Sequence, residues 1–190
     1  MFTPKILVIS GSIRPGSYNT QLAAVATREI EAQGGSATQV NLADYPLSLI
    51  TQEFSDAEIP APVMDLHKVF SEHDGIFLTT PEYNAFPSPL LLNTLDWLSR
   101  VRHYDGGMDE VFYRPLYAIS AASPSPFGGY RALMILRQKL EVGLRATVVP
   151  EMTWISSAYQ AFGPDGDLAV EFEKNQLVKT VGQLINQLKR

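Results

Sequence analysis

The segment from Ser10 to Asn19, SGSIRPGSYN, combines several hydroxyl groups with one arginine. It follows an apolar run and precedes a stretch of helical periodicity, so we expect it to lie at the N-terminus of a helix. The hydroxyls of Ser12 and Ser17 and the guanidinium of Arg14 suit a dianionic phosphate, and the helix dipole favours negative charge there. Ordinary turn and capping residues are the alternative. An arginine without an acidic neighbour in the sequence favours the phosphate site.

This segment matches neither of the two common nucleotide motifs. The dinucleotide fingerprint G-x-G-x-x-G is absent, and no acidic residue ends the second predicted strand. Gly11 and Gly16 have the spacing of the two P-loop glycines, but Ser17 stands where that motif needs a lysine. The segment therefore predicts phosphate binding without nucleotide hydrolysis.

Two further segments have compositions that suit a ligand. Residues 79–89, TTPEYNAFPSP, carry three prolines that restrict the backbone and two aromatic rings, Tyr83 and Phe86, that suit a flat heteroaromatic ligand. Packing of both rings on the following helix is an equally good interpretation. Residues 120–130, SAASPSPFGGY, are small enough to let a ligand approach the backbone, although a merely flexible connection is slightly favoured for this segment alone.

The three segments belong to a regular alternation of strand and helix patterns. The predicted strands are residues 6–9, 37–42, 76–78, 116–121 and 147–149, and the predicted helices are residues 19–33, 63–70, 88–102, 129–143 and 171–190. A loop is predicted between residues 43 and 60. This pattern predicts an α/β fold with a five-stranded parallel sheet, in the order 2-1-3-4-5, and helices on both faces. The three segments then meet at the carboxyl ends of strands 1, 3 and 4, where ligands bind in such folds.

The helix predicted over residues 88–102 is apolar around most of its circumference, with five leucines, one tryptophan and one valine. Ser88 is its predicted N-cap, and Pro89 its first residue. A helix of this kind is buried on more than one side. It lies either in the core or at a subunit interface near the ligand site, and the interface is the favoured interpretation.

Charge and composition exclude several classes of function. Fifteen lysines and arginines against twenty acidic residues give a net charge of −5, which argues against nucleic acid as the main partner. The absence of cysteine excludes disulfides, thiolate metal sites and cysteine nucleophiles, and it fits a cytoplasmic location. No signal peptide and no run of about 18 apolar residues is visible, so a soluble, single-domain protein without a membrane partner is expected.

Other motifs for catalysis or metal binding are weak. His67, His73 and His103 lack zinc spacing and are expected at the surface or at helix ends. The acidic residues between Asp105 and Glu110 are expected to form a solvated loop. There is no G-x-S-x-G sequence, so a serine hydrolase is not supported.

The three segments resemble the motifs of a known family, the NADPH-dependent FMN reductases, which have a flavodoxin-like three-layer fold and include quinone, azo-dye and chromate reductases. Residues 11–19 are similar to the family's phosphate loop, G-S-x-R-x-x-S-x-N. Residues 81–84 and 93–97 are similar to its P-E-Y-N…N-x-x-D-W signature, and residues 128–132 with 136–137 to its G-G-x-R-A…L-R run. The resemblance covers nearly the whole chain.

The resemblance implies FMN as the cofactor, with NADPH or NADH as the electron donor. It implies phosphate contacts at Ser12, Arg14, Ser17 and Asn19, next to Tyr18, and ring contacts at Pro81, Glu82, Tyr83 and Asn84 on one side and at Ser123, Gly128 and Gly129 on the other. It also implies a homodimer or homotetramer with the flavin near a subunit interface. No catalytic side chain is required, because the flavin carries the chemistry.

The chain departs from the family pattern around the implied acceptor pocket. The family usually has glycine and serine where this chain has Ala85 and Phe86, often Pro-Gly where it has Ser88-Pro89, and lysine where it has Leu92. Residues 124–126, Pro-Ser-Pro, make the third segment stiffer and less glycine-rich.

The resemblance thus leads us to expect an FMN-dependent oxidoreductase that passes hydride from NAD(P)H, through the flavin N5, to a small acceptor such as a quinone, an azo compound, free flavin or a metal oxyanion. The alternative is a flavodoxin-like electron carrier or a non-catalytic binding protein. Phe86 and residues 124–126 motivate this alternative, because either could cover the ring.

Overall fold

Alternating strands and helices build the described part of the chain, which is residues 2–51, 59–104 and 106–190 of a computed structural model. The strands are β1 (Lys5–Ser10), β2 (Ser36–Val40), β3 (Gly75–Thr80), β4 (Glu82–Tyr83), β5 (Phe86–Pro87), β6 (Leu116–Ala122), β7 (Thr147–Val148) and β8 (Thr153–Ile155). The α-helices are α1 (Tyr18–Ala32), α2 (Ala61–Ser71), α3 (Pro89–Leu98), α4 (Tyr130–Gln138) and α5 (Glu171–Leu188). The middle of the predicted loop 43–60, and Asp105, lie outside the described residues.

One parallel sheet holds six of these strands, in the order β2-β1-β3-β6-β7, and β8 also pairs with β6. The prediction of a parallel sheet whose first four strands have the order 2-1-3-4 is confirmed, but the number of five strands was wrong. Val148 lies opposite Tyr117 and Thr153 opposite Ser120, so the four residues 149–152 face two residues of β6. The edge strand bulges there and divides into β7 and β8.

The sequence of the bulge explains why the ladder is interrupted. Pro150 has no N–H to donate to a neighbouring strand. The N–H of Glu151 donates instead to Oε1 of Gln183 in α5, at 2.7 Å. The chain therefore turns towards α5 for two residues before it returns to the sheet.

Helices cover both faces of the sheet. Alternate residues of β1 point to opposite faces, so Ile6 and Val8 pack with α1 and α5, whereas Leu7 and Ile9 pack with α2, α3 and α4. All four of these side chains are fully buried. This is the predicted arrangement of three layers, and it places the ends of β1, β3 and β6 side by side.

Most apolar side chains of α3 are covered by the chain itself, although Leu90 and Leu92 are only partly buried. Leu91 and Leu95 face the sheet. Trp97, on another side, packs with Val63 of α2 and is fully buried, and its Nε1 donates to the carbonyl of Ser48 at 2.6 Å. Burial in the core accounts for Leu91, Leu95 and Trp97, and a subunit interface at this helix stays a prediction. Ser88 and Pro89 are the N-cap and the first residue of α3, as predicted.

The expectations for the histidines and the acidic segment need correction. His67 is fully buried, and its Nε2 lies 2.9 Å from the carbonyl of Gly107, a residue distant in sequence. His73 follows α2, as expected for a helix end, but it is buried too. Residues 109–113 form a π-helical turn with a buried apolar side rather than a solvated loop.

Neither a metal site nor a membrane-spanning helix is present among the described residues. Residues 2–51, 59–104 and 106–190 contain no group of three side chains placed to ligate a metal. Within the same ranges, every helix is too short or too polar to cross a membrane.

A two-residue hairpin, not predicted from the sequence, joins β4 to β5. Tyr83 lies opposite Phe86, and the turn residues Asn84 and Ala85 have φ values of 52° and 68°. Hairpins of this length favour two positive φ values, which asparagine tolerates and glycine adopts freely. Ala85 is therefore held in a left-handed conformation at a position where the family usually has glycine.

We expect Ala85→Gly to raise the free energy of unfolding by about 0.5–1 kcal/mol. Glycine removes the strain of the left-handed conformation from the folded state, and it also adds conformational entropy to the unfolded state. The first effect stabilises the protein by more than the second destabilises it. Urea unfolding of the FMN-free protein measures the change. Ala169→Gly is the control, since Ala169 is exposed and its φ is not positive. Equal destabilisation by both substitutions would contradict the strain at Ala85.

Candidate functional site

The ends of β1, β3 and β6 border an open cleft of about 200 Å³, here called the switch-point cleft. Nine of the twelve residues implied by the resemblance line this cleft: Ser12, Arg14, Ser17, Tyr18, Asn19, Pro81, Glu82, Tyr83 and Ser123. Asn84, Gly128 and Gly129 do not line it. Ala122 and Pro124 complete the lining, and Pro124 belongs to residues 124–126, one of the departures from the family pattern. The three predicted segments therefore meet at one place.

The first segment presents donors beside the start of α1. Ser17 is the N-cap, and its Oγ accepts from the N–H of Asn19 at 3.3 Å. The guanidinium of Arg14 is exposed and makes no ion pair or hydrogen bond within the described ranges. The ring of Tyr18 stacks on Phe162, with centroids 6.3 Å apart and planes at 2°. Arg14 and the helix N-terminus together make this side of the cleft electropositive, which favours an anion over a cation.

The side chain of Asn19 holds the first segment against the third. Asn19 is 2% exposed. Its Nδ2 donates to the carbonyl of Ala122 at 2.8 Å, and its Oδ1 accepts from the N–H of the same residue at 2.9 Å. Thr79 at the end of β3 adds a hydrogen bond from its Oγ1 to the carbonyl of Asn19, at 2.8 Å. The amide is thus engaged by the protein, and its role in phosphate binding stays a prediction.

A second bridge joins the first segment to α3. The Oγ of Ser88 donates to the carbonyl of Gly11 at 2.6 Å and accepts from the N–H of Leu91 at 3.2 Å. A Cβ atom on Gly11 would lie 3.0 Å from both the Leu91 Cβ and the Ser88 Oγ. Glycine at position 11 therefore lets α3 begin close to residues 11–19. The sequence did not reveal this close approach.

Glu82 faces the cleft, but its carboxylate is turned towards α4. Oε1 accepts from Arg131 Nε at 2.9 Å and also from Arg131 Nη2, and Oε2 accepts from the N–H of Ala132 at 3.3 Å. The Arg131 guanidinium also lies 4.6 Å from the centre of the Phe127 ring. This carboxylate anchors the hairpin to α4, so it does not act as a free acid at the cleft.

The glycines of the third segment are required by the protein itself. Both have positive φ, 61° at Gly128 and 87° at Gly129. A Cβ on Gly128 would lie 3.0 Å from Trp154 Cδ1, and one on Gly129 would lie 2.6 Å from the Cβ of Ala121. Both glycines therefore allow α4 to start against β6 and β8, and their role in bordering a ligand stays a prediction.

Glu173 of α5 is connected to the third segment through hydrogen bonds of Ser156. Its Oε1 accepts from the N–H of Ser156 at 2.9 Å, and the Ser156 Oγ donates to the carbonyl of Pro126 at 3.0 Å. Burial raises the pKa of Glu173 above its ordinary value, and the hydrogen bond from Ser156 opposes this rise. Glu173 does not line the switch-point cleft.

Two larger openings adjoin the switch-point cleft. One, about 510 Å³, lies on the other side of the phosphate loop and shares Ser12 and Arg14 with it. The other, about 550 Å³, is here called the hairpin cleft and shares Tyr83. Phe86 and Leu92, two departures from the family pattern, line the hairpin cleft and not the switch-point cleft.

Comparisons with known proteins agree with this geometry. The model of the family described as NADPH-dependent FMN reductase matches residues 4–161. The chain is 32% identical over 166 residues to an NAD(P)H-dependent FMN reductase of Pseudomonas aeruginosa, which covers 86% of this chain and 84% of that protein. It is 29% identical over 156 residues to a quinone reductase of Escherichia coli, covering 82% and 79%. Among solved structures, the flavoenzyme NAD(P)H:(acceptor) oxidoreductase FerB of Paracoccus denitrificans has a TM-score of 0.79 over 98% of both chains, at 22% identity, which shows the same fold.

Proposed function

Because the chain belongs to the NADPH-dependent FMN reductase family, it is an FMN-dependent NAD(P)H oxidoreductase, and we propose that the switch-point cleft holds the FMN. The observation that carries this proposal is the convergence of three separate segments on one cleft. We further propose that the acceptor is a small molecule of the quinone class, the class named for the Escherichia coli relative.

The chemistry of the cleft fits FMN. Arg14, the hydroxyls of Ser12 and Ser17 and the N-terminus of α1 form a donor set for a phosphate dianion. The acidic side chain on the described lining is Glu82, and its charge is paired with Arg131. Nothing on this lining therefore opposes an anion. Tyr83, which is 51% exposed, offers an aromatic surface to a flat ring.

FMN, when bound, supplies the redox chemistry by taking a hydride from NAD(P)H and giving the electrons to the acceptor. The protein's own residues bind and orient. Asn19 and Ser88 hold the phosphate loop in place, and the contacts of Glu82 with α4 hold the hairpin that presents Tyr83. Such bridges keep the lining rigid, so little reorganisation is needed when the ligand arrives.

We also propose a homodimer or homotetramer in which a second subunit completes the site. The switch-point cleft encloses about 200 Å³, whereas ligand sites usually enclose roughly 300–1,000 Å³. Tyr83, Phe86 and Phe127 are exposed beside it.

We also propose a cytoplasmic location, because the chain depends on NAD(P)H as its reductant and contains no cysteine.

The function is tested by the absorbance spectrum of the protein after FMN loading and desalting. NADPH or NADH is then added without oxygen, and the spectrum is recorded again. Retained flavin bands that bleach are the expected result. Retained bands that neither donor bleaches would favour the electron carrier. Of the residues that motivate that alternative, Phe86 lines the hairpin cleft, whereas Pro124 lines the switch-point cleft. A protein without flavin bands would contradict FMN binding.

We expect Arg14→Ala to weaken FMN binding by roughly 10- to 100-fold, because a hydrogen bond to a charged group contributes about 1.5–3 kcal/mol. Reduction of the flavin that remains bound should change much less, since Arg14 lies at the phosphate end. Titration of apoprotein with FMN and stopped-flow reduction measure the two effects separately. Arg28→Ala is the control, because Arg28 carries the same charge farther along α1 and pairs with Asp167. Unchanged FMN affinity would contradict the assignment.

A further inference from the structure

The opening on the far side of the phosphate loop from the switch-point cleft is here called the strand-end cleft. Its volume of about 510 Å³ falls within the range of roughly 300–1,000 Å³ that holds small organic ligands. The lining is contributed by residues 10–16, by Thr20 in the first turn of α1 and by residues 39–41 at the end of β2. The strand-end cleft therefore lies at the carboxyl ends of β1 and β2, the edge of the sheet at which ligands bind in such folds.

The charge of the strand-end cleft suits an anion. Among the described lining residues, Arg14 is the one charged side chain. Its guanidinium makes no ion pair or hydrogen bond within residues 2–51, 59–104 and 106–190. The described lining contains no carboxylate, although the whole chain has a net charge of −5. A phosphate group in this opening would gain a charged donor and meet no like charge on the lining.

Two amide side chains at the end of β2 add neutral hydrogen-bonding groups. Asn41 and Gln39 are both exposed. The Asn41 Oδ1 accepts from the N–H of Ala43 at 3.1 Å, and the Gln39 Oε1 accepts from Thr27 Oγ1 at 3.4 Å. The NH2 groups of both amides make no hydrogen bond within the described ranges of the chain. Amide side chains of this kind bind the edge of an adenine, which presents both a donor and an acceptor.

Apolar side chains of the strand-end cleft provide a surface for a base. Ile13 is 52% exposed at the loop, and it belongs to none of the apolar clusters of the core. Pro15 and Val40 also line the opening. Burial of these side chains under a flat ring is favourable. The lining thus combines an unpaired cation, free amide donors and an apolar surface, the groups that recognise a nucleotide.

The position of the strand-end cleft indicates which nucleotide it suits. Ser12 and Arg14 line both this cleft and the switch-point cleft, and they belong to the donor set proposed for the FMN phosphate. FAD is FMN with AMP joined to that phosphate through an anhydride bond. An extension from the phosphate of a flavin in the switch-point cleft therefore begins at side chains that also line the strand-end cleft. The ring end of the switch-point cleft, at Tyr83, adjoins the hairpin cleft instead.

From this arrangement we propose that the strand-end cleft is a subsite for the AMP half of FAD, so that the chain binds FAD as well as FMN. The inference rests on the proposed function, which places the flavin phosphate beside Ser12 and Arg14. Gln39 and Asn41 are specificity residues here, because they contact the half of FAD that FMN lacks. The binding step makes and breaks no covalent bond, and the redox ring is the same in both flavins.

The experiment measures Kd for FMN and for FAD with the flavin-free protein, by equilibrium dialysis. The ratio of the two values is the readout, because effects on the shared ring and phosphate contacts cancel in it. Gln39→Glu places a carboxylate in the strand-end cleft without changing the size of the side chain. Asn41→Ser removes the NH2 group but keeps an oxygen that can cap the turn of residues 42–44. Gln138→Glu is the control, because Gln138 is exposed at the end of α4 and lines none of the three clefts.

The parent is expected to bind FAD with a Kd within about threefold of that for FMN. Gln39→Glu should raise Kd for FAD about tenfold through repulsion of the diphosphate, and Kd for FMN by about twofold or less. Asn41→Ser should raise Kd for FAD about fivefold, the effect of one neutral hydrogen bond, and leave FMN unchanged. Gln138→Glu should change neither. A parent that binds FMN but not FAD would overturn the proposal, and so would substitutions in the cleft that leave the ratio of the parent unchanged.

Two other results are distinguishable from these. The adenosine half of NAD(P)H is a second source of the same chemistry, and KM for NADPH and NADH is therefore measured as well. A KM that rises about tenfold in Gln39→Glu, with an unchanged ratio of the flavin Kd values, would assign the cleft to the electron donor and overturn the FAD subsite. Binding of neither flavin would contradict the proposed function together with this inference. A bound flavin that neither donor reduces would contradict the reductase alone, because the ratio of Kd values still decides the subsite.

Discussion

Asn19→Asp is expected to lower the free energy of unfolding at pH 7 by about 3–4 kcal/mol. A buried unpaired charge costs about 3–5 kcal/mol, and the N-terminus of α1 offsets about 1 kcal/mol of that cost. In the native protein the Asn19 amide both donates to and accepts from Ala122. A carboxylate can keep the bond from the Ala122 N–H, but its second oxygen would face the Ala122 carbonyl oxygen. Two acceptors without a proton between them repel, and residue 19, at 2% exposure, has little access to water.

The penalty has a characteristic pH dependence. Burial and the facing carbonyl raise the pKa of the introduced carboxyl above the ordinary value of about 3.9, and the N-terminus of α1, where residue 19 lies, opposes part of this rise. A raised pKa in the folded state means that stability is lost as pH rises from the unfolded pKa through the folded one. The deficit of Asn19→Asp is therefore complete at pH 7 and shrinks as pH falls towards 4, where a protonated carboxyl can donate to the carbonyl of Ala122.

Asn19→Ala is the matched variant, because it removes both hydrogen bonds without adding a charge. It should cost about 2–3 kcal/mol, from the unsatisfied N–H and carbonyl of Ala122, and this cost should not depend on pH between 4 and 7. Urea unfolding of the FMN-free proteins at both pH values measures the two deficits. Equal deficits, or an Asn19→Asp deficit that is independent of pH, would show that the bridge to Ala122 does not hold the loop.

The location of the site could be predicted from the sequence, because it follows from the order of the strands. Parallel strands place their carboxyl ends at one edge, so segments that begin near Ser10, Thr79 and Ala121 must meet there. Hydrophobic runs such as residues 6–9 identify the strands without any knowledge of their partners. Nine of the twelve implied residues consequently line one cleft.

The roles of individual side chains could not be predicted in the same way. The Asn19 amide bonds a residue 103 positions away in the sequence, and the Glu82 carboxylate bonds Arg131, 49 positions away. Spacing within a motif is the same whether a polar side chain contacts a ligand or a distant part of the chain. The burial of His67 against Gly107 was missed for the same reason.

The sheet edge and the hairpin could not be predicted from the periodicity of hydrophobic residues. β4 and β5 have two residues each, too few for an alternating pattern. Their turn has alanine at position 85, whereas the usual signal for such a hairpin is a glycine there. The bulge at residues 149–152 depends on a contact with α5 that no local pattern indicates.

Gly129→Ala is the second substitution for which we expect a large effect, a loss of roughly 3 kcal/mol in the free energy of unfolding. Two costs combine. A left-handed conformation costs an L-residue about 1–2 kcal/mol, and Gly129 has a φ of 87°. Overpacking costs about 1–3 kcal/mol, and the new Cβ would lie 2.6 Å from the Cβ of Ala121. Ala121 belongs to β6, which is paired on both sides, so it cannot move aside cheaply.

Two other glycines separate these costs. Gly166 has a φ of 74° with nothing within 4 Å of an added Cβ, so Gly166→Ala should show the strain alone. Gly143 has neither a positive φ nor a neighbour within 4 Å, so Gly143→Ala should be nearly neutral. For a chain of this size, about 3 kcal/mol corresponds to a fall in Tm on the order of 10 °C. If Gly129→Ala lowers Tm no more than Gly166→Ala does, the close approach of α4 to β6 is not what requires glycine at position 129.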